Sequence, residues 1–233
     1  MPECCILIVG RNHYLAADAI ALCQSNFRTV VVCDDADPRI TNGALEQIAC
    51  DLLVNFLGQR ILPNSLLKFP NLNLHPGPPQ YPGRGGASYA LFDGAETYGA
   101  TAHIMTENVD SGEILLADEF AIRPYVCCEA LFAKAERSCL DLLAEALSIL
   151  NHTGQLPKPN GMKWGRKPST RKQFEAWLVL DPGDRQCFDR KVFAAYHSRL
   201  PGPYVAVHGM RFGMVKDEAA ERIMRSLRKT FRK

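Results

Sequence analysis

Asn73 and His75 stand one residue apart at the end of a short apolar run, Asn71–Leu74, and Asp110 lies in the segment Asn108-Val109-Asp110-Ser111-Gly112, just past another such run. On an extended chain alternate side chains share a face, so the amide and the imidazole are delivered together. An amide N–H and an imidazole N–H can both donate to an oxygen that is gaining negative charge. The imidazole can instead accept a proton, and a carboxylate beside it fixes its tautomer and favours its charged form. No serine or cysteine in either segment stands out as a nucleophile, so the attacking atom would belong to a substrate. On this pattern alone, strand-end packing and capping explain Asn73 and His75 better than catalysis does.

The elements that would position these residues follow from the pattern of apolar runs. Cys4–Val9, Thr29–Cys33, Asp51–Phe56, Asn71–Leu74 and Ala100–Met105 read as strands, Tyr14–Gln24 and Asn42–Ile48 as helical segments between them. Near-continuous apolar strands alternating with helices indicate a parallel sheet covered on both faces, with right-handed crossovers. Residues 128–150 form the clearest helix, with Leu131, Ala135, Cys139, Leu142, Leu143 and Ala146 on one side. After His75 come Pro76, Pro78, Pro79, Pro82 and glycines at 77, 83, 85, 86 and 94, which reads as a rigid, exposed loop at the C-terminal edge of a strand. Open α/β sheets bind ligands at that edge, and Arg84, at the tip of the loop, is placed to meet a phosphate. Beyond 150 the character changes: a linker rich in Pro, Gly and basic residues over 151–172, a helical Arg190–Ser198, a Pro-Gly-Pro break at 201–203, two alternating runs, Tyr204–His208 and Arg211–Val215, about a Gly-Met turn, and a basic amphipathic helix over 217–232. The expected fold is α/β: a Rossmann-like, mostly parallel sheet with helices on both faces in a catalytic domain of residues 1–150, and a small α+β extension with a hairpin in 151–233.

Asn-x-His-Pro followed by a Pro/Gly/Tyr loop and then Val-Asp-Ser-Gly-Glu-Ile-Leu resembles the folate-dependent formyltransferases, which include glycinamide ribonucleotide, methionyl-tRNA and sugar N-formyltransferases. The segments HPGPPQYPGRGG, YGATAHIM, KWGRKPSTRKQFE and YHSRLPGPYVAVHGMRF resemble most the bacterial nucleotide-sugar members, of the GDP-perosamine N-formyltransferase kind. That resemblance implies Asn73, His75 and Asp110 as a catalytic triad and 10-formyltetrahydrofolate as formyl donor, its pterin against Arg60, Ile61 and Leu62 and the backbone around Glu107–Val109. It implies a GDP- or dTDP-linked amino-dideoxyhexose as acceptor, in surface-polysaccharide (O-antigen, lipopolysaccharide) synthesis, with Arg11, Asn12, Tyr81 and Arg84 as acceptor-side residues. Three departures separate the chain from the better-known members. Gly10-Arg11-Asn12-His13 replaces a glycine-rich phosphate loop, Gly77-Pro78-Pro79-Gln80 replaces Ser-Leu-Leu-Pro, and the residues after 150 are fewer than the tRNA enzyme's extra domain needs.

Composition narrows the partners. The 233 residues carry 27 Lys+Arg against 25 Asp+Glu, a net charge of +2. Residues 216–233 hold seven basic and three acidic side chains, leaving 20 basic against 22 acidic elsewhere, so the body lacks the broad positive surface that a nucleic-acid backbone requires. No run reaches the ~18 apolar residues of a membrane span, and the start has no signal-peptide pattern; the expectation is a soluble, cytoplasmic protein without nucleic-acid or membrane partners, compatible with a homodimer. The basic helix face of Arg222, Arg225, Lys229 and Arg232 reads as a solvated surface, His103 as a core imidazole, and His13, His152, His197 and His208 as surface or hairpin residues. A formyltetrahydrofolate hydrolase, a methionyl-tRNA formyltransferase-like enzyme and a non-catalytic folate-binding module are the rival readings. The nine cysteines are irregularly spaced, without a Cys-x-x-Cys pair; they read as reduced core thiols, and no metal is expected. Exhaustive chelation should therefore leave turnover intact, and activity that is lost and then restored by zinc would overturn that expectation.

Overall fold

Largely apolar runs form strands only where both faces of a sheet are covered, and Cys4–Val9 (β1) and Leu52–Phe56 (β3) meet that condition at every position. The computed structural model describes residues 2–124, 126–197, 202–214 and 217–231. They gather into two compact units: Met1–Pro82, Gly99–Glu119 and Ala135–Lys167 in one, Gly83–Tyr98, Phe120–Lys134 and Pro168–Lys233 in the other.

In the first unit β1 pairs in parallel with Thr29–Asp34 (β2) on one side and β3 on the other, and β3 pairs in parallel with Asn71–His75 (β4). The strand order is β2-β1-β3-β4-β5-β6, completed by Thr97–His103 (β5) and Ile114–Ala121 (β6). One step departs from the expected parallel series: β5 runs antiparallel to β4, with His103 opposite Asn73 and Thr101 opposite His75. An apolar run reports burial on both faces but carries no information about direction. β6 escaped the sequence reading because Asp118 and Glu119 interrupt its apolar pattern, as an edge strand allows.

Alternation along β1 divides the core. Cys5, Leu7 and Val9 face Leu15, Ala19 and Cys23 of Ala16–Asn26 (α1) and its preceding turn, together with Cys139, Leu142, Leu143, Ala146 and Leu147 of Cys128–Thr153 (α4). Ile6 and Ile8 face the other way, onto Ile40, Leu45, Leu62 and Leu66. That second layer is made of 3-10 turns at Pro38–Ile40 and Leu45–Gln47 and the short helix Asn64–Leu67 (α2), so the helix expected over Asn42–Ile48 contracts to one turn. All nine cysteines are free, and burial pushes the Cys33, Cys50 and Cys128 thiols up to about 11, which keeps them protonated and inert. The Pro/Gly segment after His75 is not the exposed loop expected. Gly77, Pro78, Pro79, Tyr81 and Pro82 are buried, because the Thr101 hydroxyl donates to the Gly77 carbonyl at 2.7 Å and the loop packs down on β5. Pro and Gly forbid regular structure; they do not forbid burial.

In the second unit the remainder of that segment is the helix Gly86–Asp93 (α3), accompanied by Arg171–Trp177 (α5) and Arg185–Ala195 (α6). Tyr89, Phe92, Phe174 and Trp177 form its aromatic cluster, with ring centroids 4.9–5.8 Å apart. Thr170 and Gln173 close a reciprocal cap on α5. The expected hairpin is present as Tyr204–Val207 (β7) and Met210–Gly213 (β8). Its turn is His208-Gly209, one residue earlier than expected, because both take the positive φ that a tight hairpin turn demands. The last helix, Glu218–Thr230 (α7), buries Ala220 and Met224 and exposes Arg222, Arg225 and Lys229; Ser198, Pro201, Val215 and Arg232 lie outside the described residues. Among the described residues no helix is long and apolar enough to cross a membrane.

Gly99 is the tightest point of the β5–β6 pair, since a Cβ there would overlap the Asp118 carbonyl oxygen. Gly99→Ala should lower the urea midpoint by an amount corresponding to roughly 1–3 kcal/mol, the usual cost of overpacking; an unchanged midpoint would contradict that packing.

Candidate active site

Antiparallel pairing of β4 and β5 sets three polar residues side by side, and the chain after β5 folds back to add a fourth. The carboxylate of Asp110 bridges two imidazoles: Oδ2 lies 3.1 Å from His75 Nδ1 and Oδ1 lies 3.2 Å from His103 Nε2. All three residues are buried, His103 to within 2% and Asp110 to within 6% of complete. The Asn73 amide joins them, its Nδ2 lying 2.9 Å from His103 Nε2.

His103 Nδ1 faces the Ile104 carbonyl at 2.8 Å, so that nitrogen carries the proton. Nε2 is then shared between two neighbours. A neutral ring accepts there from Asn73, and a protonated ring donates there to Asp110. His75 has acceptors at both nitrogens, Asp110 at Nδ1 and the Tyr81 carbonyl 3.1 Å from Nε2, and an imidazolium satisfies both. Gly77 lets the chain pass close to Nε2: a Cβ at that position would sit 2.6 Å from it. A proton donor held on a buried carboxylate is suited to stabilising a developing oxyanion.

The loop that carries Asp110 is built for this placement. Asp110 takes the left-handed conformation at φ 42°, which costs a non-glycine residue on the order of 1–3 kcal/mol. Hydrogen bonds hold the turn: Thr106 and Ser111 hydroxyls both donate to the Asn108 carbonyl, at 3.0 and 2.9 Å. Gly112 is required because a Cβ would overlap the Ile104 carbonyl oxygen.

The residues expected to hold a folate fall on two loops that the structure brings together, since Asn64 Nδ2 donates to Glu107 Oε1 at 2.8 Å. Ile61 and Val109 are exposed on these loops, Ile61 to 75%. Arg60 Nη1 donates to the Asp35 carbonyl at 3.0 Å. Leu62 is different: it is buried in the core against Ile6 and Ile8 and supports the loop from beneath. On the expected acceptor side, Arg11 and Asn12 are exposed at the C-terminal end of β1, with Arg11 Nε 3.6 Å from Asp34. Tyr81 is buried, with the Arg166 guanidinium 4.2 Å above its ring. Arg84 belongs to the second unit, where its N–H donates to the Ser169 carbonyl at 2.7 Å.

Three residues of the constellation were not assigned to it from sequence. His103 is buried as expected of a core imidazole, but as a full partner of Asp110; the cross-strand register that places it is not readable from one strand. Asn55 Nδ2 donates to Asn73 Oδ1 at 2.7 Å, signalled only by a lone amide in the apolar run Leu52–Phe56. Trp164 sets its ring against both imidazoles. His13, expected at the surface, instead ties the loop after β1 to α4 through Glu136 at 3.0 Å. Among the described residues no group of His, Cys, Asp and Glu is arranged to hold a metal ion.

Asp110→Asn tests the bridge with little disturbance, because Asn tolerates the left-handed conformation. The fold should persist while kcat falls more than tenfold, a change of ~1.4 kcal/mol or above. A lowered melting temperature with normal kcat of the folded fraction would make Asp110 structural.

The profile of the formyl transferase family matches residues 12–147. The methionyl-tRNA formyltransferase of Syntrophus aciditrophicus (strain SB) is 32% identical over 198 residues, 75% of this chain and 62% of that protein. The chain spans about three fifths of the length of the curated relatives it matches first. Among solved structures, a 4-N formyltransferase from Francisella tularensis is matched over 90% of this chain and 96% of that one, at TM-score 0.72 and 18% identity. An N-formyltransferase from Helicobacter canadensis, solved with folinic acid and dTDP-3-aminofucose, is matched over 83% of this chain and 80% of that one, at TM-score 0.65 and 14% identity. At these identities the structural likeness is one of fold, and the profile match over residues 12–147, which include Asn73, His75, His103 and Asp110, carries the assignment: the chain belongs to the formyl transferase family.

Proposed function

We propose that the protein moves the formyl group of 10-formyltetrahydrofolate to a primary amine on a nucleotide-linked amino sugar, most specifically a 4-amino-4,6-dideoxyhexose, with Asn73, His75 and Asp110 as the catalytic residues. The observation that carries the reading is the buried Asp110 carboxylate joined to His75 at 3.1 Å, with His103 on its other oxygen. The neutral amine attacks the formyl carbon. The Nε2–H of His75 passes from the Tyr81 carbonyl to the tetrahedral oxyanion, and the Asn73 amide adds a second donor once His103 Nε2 is protonated and donates to Asp110. The amine's proton passes to a water held by Asp110 and from there to the folate nitrogen, which leaves as a neutral amine when the tetrahedral intermediate collapses. One oxyanion donor is worth ~2.7–4 kcal/mol, and holding two substrates in register ~7–11 kcal/mol. The exposed Ile61 and Val109 suit the apolar faces of a pterin, and folinic acid in the Helicobacter canadensis enzyme supports a folate donor.

A sugar acceptor is favoured over a tRNA on charge. Outside residues 216–233 the chain holds fewer basic than acidic side chains, whereas tRNA recognition uses many phosphate contacts. The fold likeness to a solved sugar N-formyltransferase also extends over 90% of the chain, well past residue 147.

The test pairs 10-formyltetrahydrofolate with a panel of GDP- and dTDP-linked aminohexoses and with initiator methionyl-tRNA, read by mass spectrometry. A formyl-sized gain on a sugar nucleotide is expected, with turnover rising as pH passes the acceptor amine's pKa and only mild inhibition by salt. Formylation of the tRNA that outpaces every sugar and collapses steeply with salt would reverse the assignment, and formate release without an acceptor would indicate a hydrolase.

A further inference from the structure

Residues 160–166 lie far along the chain from both catalytic loops, yet they are hydrogen-bonded to each. The Asn160 N–H donates to the Ile114 carbonyl at 3.0 Å and the Gly165 N–H to the Pro79 carbonyl at 2.9 Å. Arg166 Nε donates to the Gln80 carbonyl at 2.7 Å, and its guanidinium covers Tyr81, whose own carbonyl faces His75. Trp164 is the centre of this strap. Its Nε1–H donates to the Gly112 carbonyl at 2.8 Å, two residues beyond Asp110. Its ring stands edge-on at 5.0 Å and 89° to His103, and at 6.0 Å and 69° to His75.

We propose that Trp164 is a positioning residue that fixes the Asp110 loop through the Gly112 carbonyl and holds both imidazoles in the orientation formyl transfer requires. The inference rests on the function proposed above for its kinetic consequence, but not for its geometry. Edge-to-face contacts orient aromatic rings. Asp110 itself is buried, and hydrogen bonds to a buried carboxylate are stronger for the lower local dielectric. Asp110 sits in a strained backbone conformation, so a loop without its tether has a relaxed alternative to adopt. Gly165 allows the close approach, since a Cβ there would lie 3.1 Å from the Gln80 Cα.

Trp164→Phe keeps a ring and removes the N–H donor, and Trp164→Leu removes both. In formyl transfer, kcat should fall at least tenfold in Trp164→Leu and less in Trp164→Phe, with the KM for 10-formyltetrahydrofolate within about twofold of the parent. A readout independent of substrate comes from NMR of 13C-labelled histidine rings over a pH series. In Trp164→Leu the His75 and His103 signals should lose their ring-current displacement and change their titration midpoints, while His152 and His208 stay as they were. If Trp164→Leu does not fold, Trp164→Phe is decisive, through a shifted midpoint at His75 or His103 and a lowered kcat. Unchanged midpoints and kcat in a folded variant would overturn the proposal. Absence of formyl transfer in the parent protein would instead overturn the proposed function, and the NMR titration would still decide the role of Trp164.

Discussion

A single carboxylate placed between two imidazoles is the constraint on which the rest of the site depends. Burying an unpaired charge is costly, and Asp110 is buried with His75 and His103 within hydrogen-bond reach on either side. Each of those rings must in turn be held. His103 is fixed by the carbonyl of Ile104 and by Asn73, His75 by the carbonyl of Tyr81. Removing any one member leaves a buried polar group without its partner, which costs more than the bond itself contributed.

Strand direction makes that arrangement available. In an all-parallel sheet the chain leaving β5 would emerge beside the end of β4, and the strand's last residue would stand level with His75. Here β5 runs the other way, so its last residue, His103, lies opposite Asn73, and the following loop must fold back to bring Asp110 to both rings. The return is tight, which accounts for the left-handed Asp110, the hydroxyl bonds from Thr106 and Ser111 and the obligatory glycine at 112.

Much of this was legible in the sequence, and the parts that were not share a cause. Double-sided burial of β1 and β3, the helix beginning at Cys128, the hairpin of β7 and β8 and the pairing of His75 with Asp110 follow from local pattern or from the motif that carries the family resemblance. The direction of β5, the presence of β6 and the role of His103 depend on which strand lies beside which, and a lone apolar run does not record its neighbours. Burial of the Pro/Gly segment was missed because it is caused by a threonine more than twenty positions away in sequence. Trp164 lay in a stretch whose Pro, Gly and basic content reads as an extended linker wrapping over the body, and its hydrogen bond to Gly112 spans 52 positions.

Asn55 shows the same dependence reaching into the middle of the sheet. It lies on β3 among apolar residues, is 8% exposed, and its Oδ1 has no hydrogen-bond partner among the described residues. An orphaned buried acceptor costs ~1–3 kcal/mol, which an aliphatic side chain of similar size would avoid. What the amide provides is directionality. By donating to Asn73 Oδ1 it fixes which end of the Asn73 side chain points toward β5, and so makes Nδ2, a donor, the atom that meets His103. With the opposite orientation the Asn73 carbonyl oxygen would face His103 and Asn73 could not donate to a negatively charged oxygen there. The unfavourable residue in the sheet interior thus sets the direction of a hydrogen-bonded line that runs from Asn55 through Asn73 to His103 Nε2, the nitrogen at which a neutral ring accepts from Asn73 and a protonated ring donates to Asp110.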